Sequence, residues 1–197
     1  RLHRLLTRDG PRADLAVDRH PGVQGRGPVG WFRAATGLGV NDAIKEGYAR
    51  IASRWRPGDR IFLAGYSRGA YAVRSLAGMI ARAGLLRPEH AIERRVERAF
   101  RLYESENETA ARAFARHYGW DQPVPIEAIA VWDTVKALGI PWPILSFLHP
   151  WATEFHDHRL GDQVRCGLQA LALDEDRIAF RPETWDRDPA RPHCVRQ

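Results

Sequence analysis

With 197 residues, 44% hydrophobic and 27% charged, the chain is long enough to bury the core of one domain and is neither a disordered tail nor a fibrous repeat. No apolar run reaches bilayer-spanning length and no signal peptide opens the sequence, so residence in the cytoplasm and export by a signal-independent system both stay open. The formal charge of +6 is nearly all arginine, Lys45 and Lys136 being the only lysines; basic and acidic residues interleave and no nucleic-acid module is present, which removes nucleic acid as a partner and leaves a solvated surface, or attraction to an anionic membrane surface.

Taken in chain order, residues 1–8 read as the end of a helix and Asp14 to Val17 as a short strand. Gly- and Pro-rich loops follow at 20–31 and 35–39. Asn41 is the expected N-cap of a helix whose stripe is Ile44, Tyr48, Ile51 and Trp55, at spacings of four, three and four. Pro57-Gly58-Asp59 is a turn. The apolar run Ile61-Phe62-Leu63-Ala64 predicts a strand, and Ala70 to about Ala83 a helix closed by Gly84. Residues 88–118 read as a helical insertion with an apolar stripe of Ile92, Val96, Phe100 and Tyr103. Glu104 to Glu108 breaks it in two. Such an insertion either packs on the sheet as a crossover or caps the site. Ile126 to Trp132 is a second strong strand. The stretch 140–148 is very apolar but proline-interrupted, either buried or an acyl-chain or membrane contact. Gln163 to Ala172 looks helical, with Cys166 as a small core residue, and 177–197 shows no clear element. The two cysteines, Cys166 and Cys194, have neither metal spacing nor a disulfide framework.

Strands separated by helices predict an α/β sandwich with a mainly parallel sheet, whose catalytic residues belong at the strands' carboxyl ends. Gly65-Tyr66-Ser67-Arg68-Gly69 lies between strand and helix, the context that turns Gly-x-Ser-x-Gly into a nucleophile elbow. Both glycines are expected to let the two backbones crowd together. A serine hydroxyl needs a histidine base, and the histidine needs an acid. Asp133, just past a strand and after Ser67, fits the acid; a turn-capping Asp is the alternative. Asp157 and Asp174 rank lower because neither follows a clear strand. No histidine stands where the base should be: His3 and His20 precede the serine, His90 and His117 lie in the insertion, and His149, His156, His158 and His193 follow no convincing strand.

Further segments carry a resemblance: Thr36-Gly37-Leu38-Gly39, Pro57-Gly58-Asp59, Ser67-Arg68-Gly69-Ala70-Tyr71 continuing to Arg74, Val131-Trp132-Asp133-Thr134-Val135, Phe155-His156-Asp157, and Ala170 to Glu175. Over nearly its whole length the chain resembles an α/β-hydrolase domain family that includes type VI secretion phospholipase effectors. The resemblance implies a three-layer α/β-hydrolase-like sandwich, Ser67 as nucleophile and Asp133 as triad acid. It also implies a single domain over 1–197 truncated at both ends. The family's first strand ends in Asp-Gly-Thr, which has no counterpart here, and its Gly-x-His-x-Asp-Val-Gly-Gly loop would begin just after Gln197. His158 stands where the family usually has Thr and stays open as a spare base.

The expected function is therefore a serine esterase of lipase or phospholipase type. Its substrate is a lipid or other ester, with the backbone N–H of Arg68 as an oxyanion donor and no metal or cofactor. The alternative is a hydrolase-like module without catalysis, docking on membranes or partners within a larger secreted or toxin protein.

Overall fold

The structure, a computed structural model, describes residues 15–20, 38–105, 107–132, 160–171, 184–186 and 195–196. In chain order these form α1 (Leu38–Arg54), β1 (Ile61–Tyr66), α2 (Arg68–Ala83), a 3-10 turn (Pro88–His90), α3 (Glu93–Glu104), α4 (Glu108–Tyr118), β2 (Ile126–Trp132), β3 (Val164–Ala170) and β4 (Val195–Arg196). The strands make one sheet in the order β1-β2-β3-β4, every pair parallel. Parallel neighbours need crossover connections, and α3 and α4 supply one between β1 and β2. The expected α/β architecture with a parallel sheet is what the chain adopts.

Helix α2 packs on β1 and β2, and α1, α3 and α4 pack on α2. Side chains alternate across the sheet, so rows Leu63–Ile129–Gly167 and Gly65–Val131–Gln169 face α2. Rows Phe62–Ala128–Cys166 and Tyr66–Trp132–Ala170 lie on the other face. Cys166 is accordingly half-buried there rather than a core residue.

The predicted stripe of α1 is its buried side: Ile44, Tyr48 and Trp55 are in the core and Ile51 packs against it. Asn41, however, is not the N-cap. Leu38, Gly39 and Val40 are already helical, and the near-complete burial of Val40 rewards the additional turn. Tyr48 joins α1 to the end of α2. Its hydroxyl donates to Gly84 O at 2.6 Å and accepts from Leu86 N–H at 3.1 Å. Burial pushes this phenol well above its ordinary pKa, against the smaller opposing effect of the Leu86 N–H. Lys45 ties α1 to α3 through Glu97 at 3.0 Å.

Other sequence readings hold at the level of single residues. The 57–59 turn closes with Arg56 N–H on Asp59 Oδ2 at 2.9 Å and Gly58 at φ 100°. Gly84 terminates α2 at φ 71°. Asn107 caps α4 by accepting from Ala110 N–H at 3.0 Å, which is why the insertion divides there.

The expected helix over 163–172 is strand β3. Arg165, Leu168, Gln169 and Ala170 are good helix formers. Parallel pairing with β2 over the whole of β3, from Ile126–Val164 to Trp132–Ala170, overrides that preference. Gly167 sits mid-strand because the site is crowded: a Cβ there would lie 3.2 Å from Leu160 and 3.3 Å from Trp185. The readings at 1–8, 20–31 and 140–148, the cysteine Cys194, Asp133, Asp157, Asp174, and the histidines His3, His149, His156, His158 and His193 lie outside the described residues, apart from His20 at the loop's edge.

Candidate active site

Strand β1 runs two residues further than its apolar core suggests, delivering the chain to Ser67 at the sheet's carboxyl edge. Ser67 is the single residue between β1 and α2, and it turns the chain with φ 54° and ψ −120°. It is the one non-glycine residue with positive φ among those described. An L-residue held there costs on the order of 1–3 kcal/mol, and such strain persists only where surrounding contacts over-determine it.

Those contacts can be named. Ser67 N–H donates to Trp132 O at 2.9 Å, locking the turn to the end of the neighbouring strand. Ser67 O accepts from Ala70 N–H at 2.9 Å and Tyr71 N–H at 3.2 Å, opening α2. The approach of strand to helix is extremely close at Gly65, where a Cβ would lie 2.3 Å from Gly69 O and 2.6 Å from Ala70 N. Gly69 differs from its expected role: a Cβ there meets no described atom within 4 Å. The crowding is therefore one-sided. Gly65 must lack a side chain so that the backbone of Gly69 can approach it, and Gly69 itself has room among the described residues.

The hydroxyl of Ser67 makes no capping hydrogen bond to the helix, and the residue is half-buried. Its hydroxyl is thus not spent on capping α2. Arg68 is the first residue of α2, so its N–H lies ahead of the first i to i−4 bond, at the positive end of the helix dipole. No acidic residue in the first turn offsets that field.

Trp132 is the last described residue of β2, and Asp133 follows it directly. The carbonyl that accepts from Ser67 N–H is therefore the one that leads into Asp133. Asp174 gains a strand before it. Its low rank rested on the lack of a preceding strand, yet it comes four residues after the end of β3 at Ala170. The three described histidines have other neighbours. His20 faces Glu46 of α1 at 3.7 Å. His90 contacts Arg95 at 3.3 Å, and His117 packs edge-on to Tyr118, both beyond the far end of α2.

Behind the elbow, one position of the resembling segment takes a structural role that the sequence does not assign it. Arg74, seven residues into the same helix, is 2% exposed and stacks its guanidinium 4.8 Å from the Trp185 ring. Gln163 Nε2 donates to Ala77 O at 2.9 Å. Together they hold the start of β3 and the 184–186 segment against α2. The only hint in the sequence is a charged residue on the apolar side of α2.

Among the described residues no helix is long and apolar enough to cross a membrane. Compared with known proteins, residues 27–196 match the family model described as T6SS phospholipase effector Tle1-like, catalytic domain. A yeast protein, uncharacterized protein YEL023C of Saccharomyces cerevisiae, is 35% identical over 112 residues, covering 51% of this chain and 16% of the yeast protein. The chain thus corresponds to a small part of that relative's length. No solved structure matches.

Proposed function

The chain belongs to the family of T6SS phospholipase effector Tle1-like catalytic domains, and from that premise we propose that it is a carboxylic-ester hydrolase of phospholipids with Ser67 as nucleophile. A lipase- or phospholipase-like hydrolase is the general activity of such a domain. The observation that carries the finer reading is the backbone of Ser67, strained at φ 54° and ψ −120° between a parallel strand and a helix N-terminus. A structural loop gains nothing from a strained serine whose hydroxyl caps no helix.

In the proposed reaction Ser67 Oγ attacks the ester carbonyl and its proton passes to a histidine base. That base is none of the described histidines; the resemblance to the family assigns it to a glycine-rich Gly-x-His loop. The tetrahedral oxyanion is met by Arg68 N–H at the start of α2. Asp133 orients the base and offsets its charge, its position supported by the Ser67–Trp132 hydrogen bond. The alcohol leaves with the proton, and water releases the fatty acid from the acyl-serine.

The test is covalent. The full-length protein containing this domain is treated with a fluorophosphonate, and the adduct is mapped by mass spectrometry. An adduct on Ser67 that disappears in Ser67→Ala is expected. A folded protein that hydrolyses phospholipid but carries no adduct at Ser67 would sink the assignment.

A further inference from the structure

Helices α3 and α4 border an open groove of about 740 Å³ that the hydrolase reading does not use. Helix α3 contributes Arg94, Arg95, Arg98 and Arg101, and α4 contributes apolar Ala113 and Phe114. Arg94, Arg98 and Arg101 are spaced i, i+4 and i+7, so they form one row along the helix. Three arginines elsewhere on the surface do hold carboxylates: Arg54 with Asp18 at 2.7 Å, Arg112 with Glu108 at 2.7 Å, Arg165 with Glu127 at 3.3 Å. None of the three in the row has an ion-pair partner among the described residues. Glu97 of the same helix is engaged by Lys45 of α1. Like charges at helical spacing disfavour the helix that bears them. Here three of them lie side by side along the groove, and no described carboxylate pairs with any of them.

The groove is also in the wrong place for the ester. Its helices are fastened to the end of α2 remote from Ser67: Arg82 donates to Tyr103 O at 2.9 Å, a Cβ on Gly84 would lie 2.9 Å from Ala115, and Leu86 bridges Gly119. The 16 residues of α2 put that end roughly 24 Å from Ser67, at 1.5 Å per residue. An open cleft between two helices, with a mainly apolar lining and one cationic row, suits a helix better than a flat bilayer.

We propose that the α3–α4 groove docks an acidic amphipathic helix of a partner protein. Carboxylates spaced i, i+4 and i+7 on that helix pair with Arg94, Arg98 and Arg101, and its apolar residues lie over Ala110 and Ala113, above the buried Phe114. This inference does not depend on the hydrolase assignment, and a failure of labelling at Ser67 leaves it standing.

The probe is a fluorescein-labelled peptide of about 18 residues, long enough to form a helix on binding. It carries glutamates at i, i+4 and i+7 beside a leucine stripe, and a scrambled peptide of the same composition is the control. Fluorescence anisotropy is read on the full chain, on Arg94→Gln/Arg98→Gln/Arg101→Gln and on Arg94→Glu/Arg98→Glu/Arg101→Glu. All three positions are exposed, and circular dichroism verifies that both variants retain their helix content. The patterned peptide is expected to bind about tenfold or more tighter than the scramble, to weaken with salt, and to lose about tenfold in the glutamine variant and more in the glutamate variant. Equal binding of the two peptides, or affinity unchanged in both variants, overturns the proposal. So does arginine-dependent binding to phosphatidylglycerol vesicles without discrimination between the peptides, which would make the groove a lipid-surface contact.

Discussion

Gly65→Ala and Gly69→Ala should shift stability in opposite directions, although the two glycines are equivalent in the pentapeptide. At Gly65 the new methyl would fall 2.3 Å from Gly69 O, 2.5 Å from Gly69 C and 2.6 Å from Ala70 N. All three are backbone atoms of the first turn of α2, so no side chain can swing aside. The helix start must retreat by most of an ångström, against the bonds from Ser67 N–H to Trp132 O and from Ala70 N–H to Ser67 O. Overpacking of this kind costs about 1–3 kcal/mol, and rigid backbone neighbours put it at the upper end. For a domain of this size that lowers the melting temperature by roughly 6–12 °C. Under the proposed mechanism turnover should fall further still, because displacing the proposed nucleophile by about 1 Å can cost roughly 100-fold. At Gly69 the methyl meets no described atom, the position is exposed and helical, and alanine is favoured over glycine by about 0.5–1 kcal/mol. Urea unfolding followed by circular dichroism, with phospholipid turnover measured in parallel, decides it. If both substitutions destabilise equally, or Gly65→Ala is neutral, the close approach of β1 to α2 is not what Gly65 is for.

Three other outcomes are expected. Ser67→Gly should abolish fluorophosphonate labelling yet stabilise the fold by about 1 kcal/mol, since glycine accepts positive φ and no capping bond is lost; destabilisation in urea would refute the strain. Tyr48→Phe should cost about 1–3 kcal/mol by leaving Gly84 O and Leu86 N–H without their buried partner. Because the folded-state pKa of Tyr48 is raised above 10.0, the wild type loses stability as pH climbs above 10, at up to about 1.4 kcal/mol per pH unit, and that component should be missing from Tyr48→Phe in paired urea titrations. Asp133→Asn should cut turnover of the full-length enzyme roughly 10⁴-fold while Asp174→Asn stays near wild type; the reverse result moves the acid from the end of β2 to the stretch after β3.

Local physics made much of this protein legible from its sequence. The strand Ile126–Trp132, the turn at Gly58, the stop at Gly84 and the break before Asn107 each depend on residues within a few positions of one another, and each is where the sequence puts it. The strand and helix flanking Ser67 belong to the same class, since the apolar run and the helix-forming run are contiguous with the serine. Tertiary structure alone decided the rest. Segment 164–170 has helix-favouring residues and becomes a strand because β2 offers it a parallel partner about forty residues away in sequence, an interaction that single-residue preference does not register. Arg74 is a charged residue on the apolar side of α2, and its role stays unassigned until the ring of Trp185 stacks on it. The two glycines of the elbow are interchangeable as letters. Only the crossing of strand and helix shows that one gives way to the other's backbone, because steric exclusion depends on where a Cβ points and not on how near the residue stands to the serine.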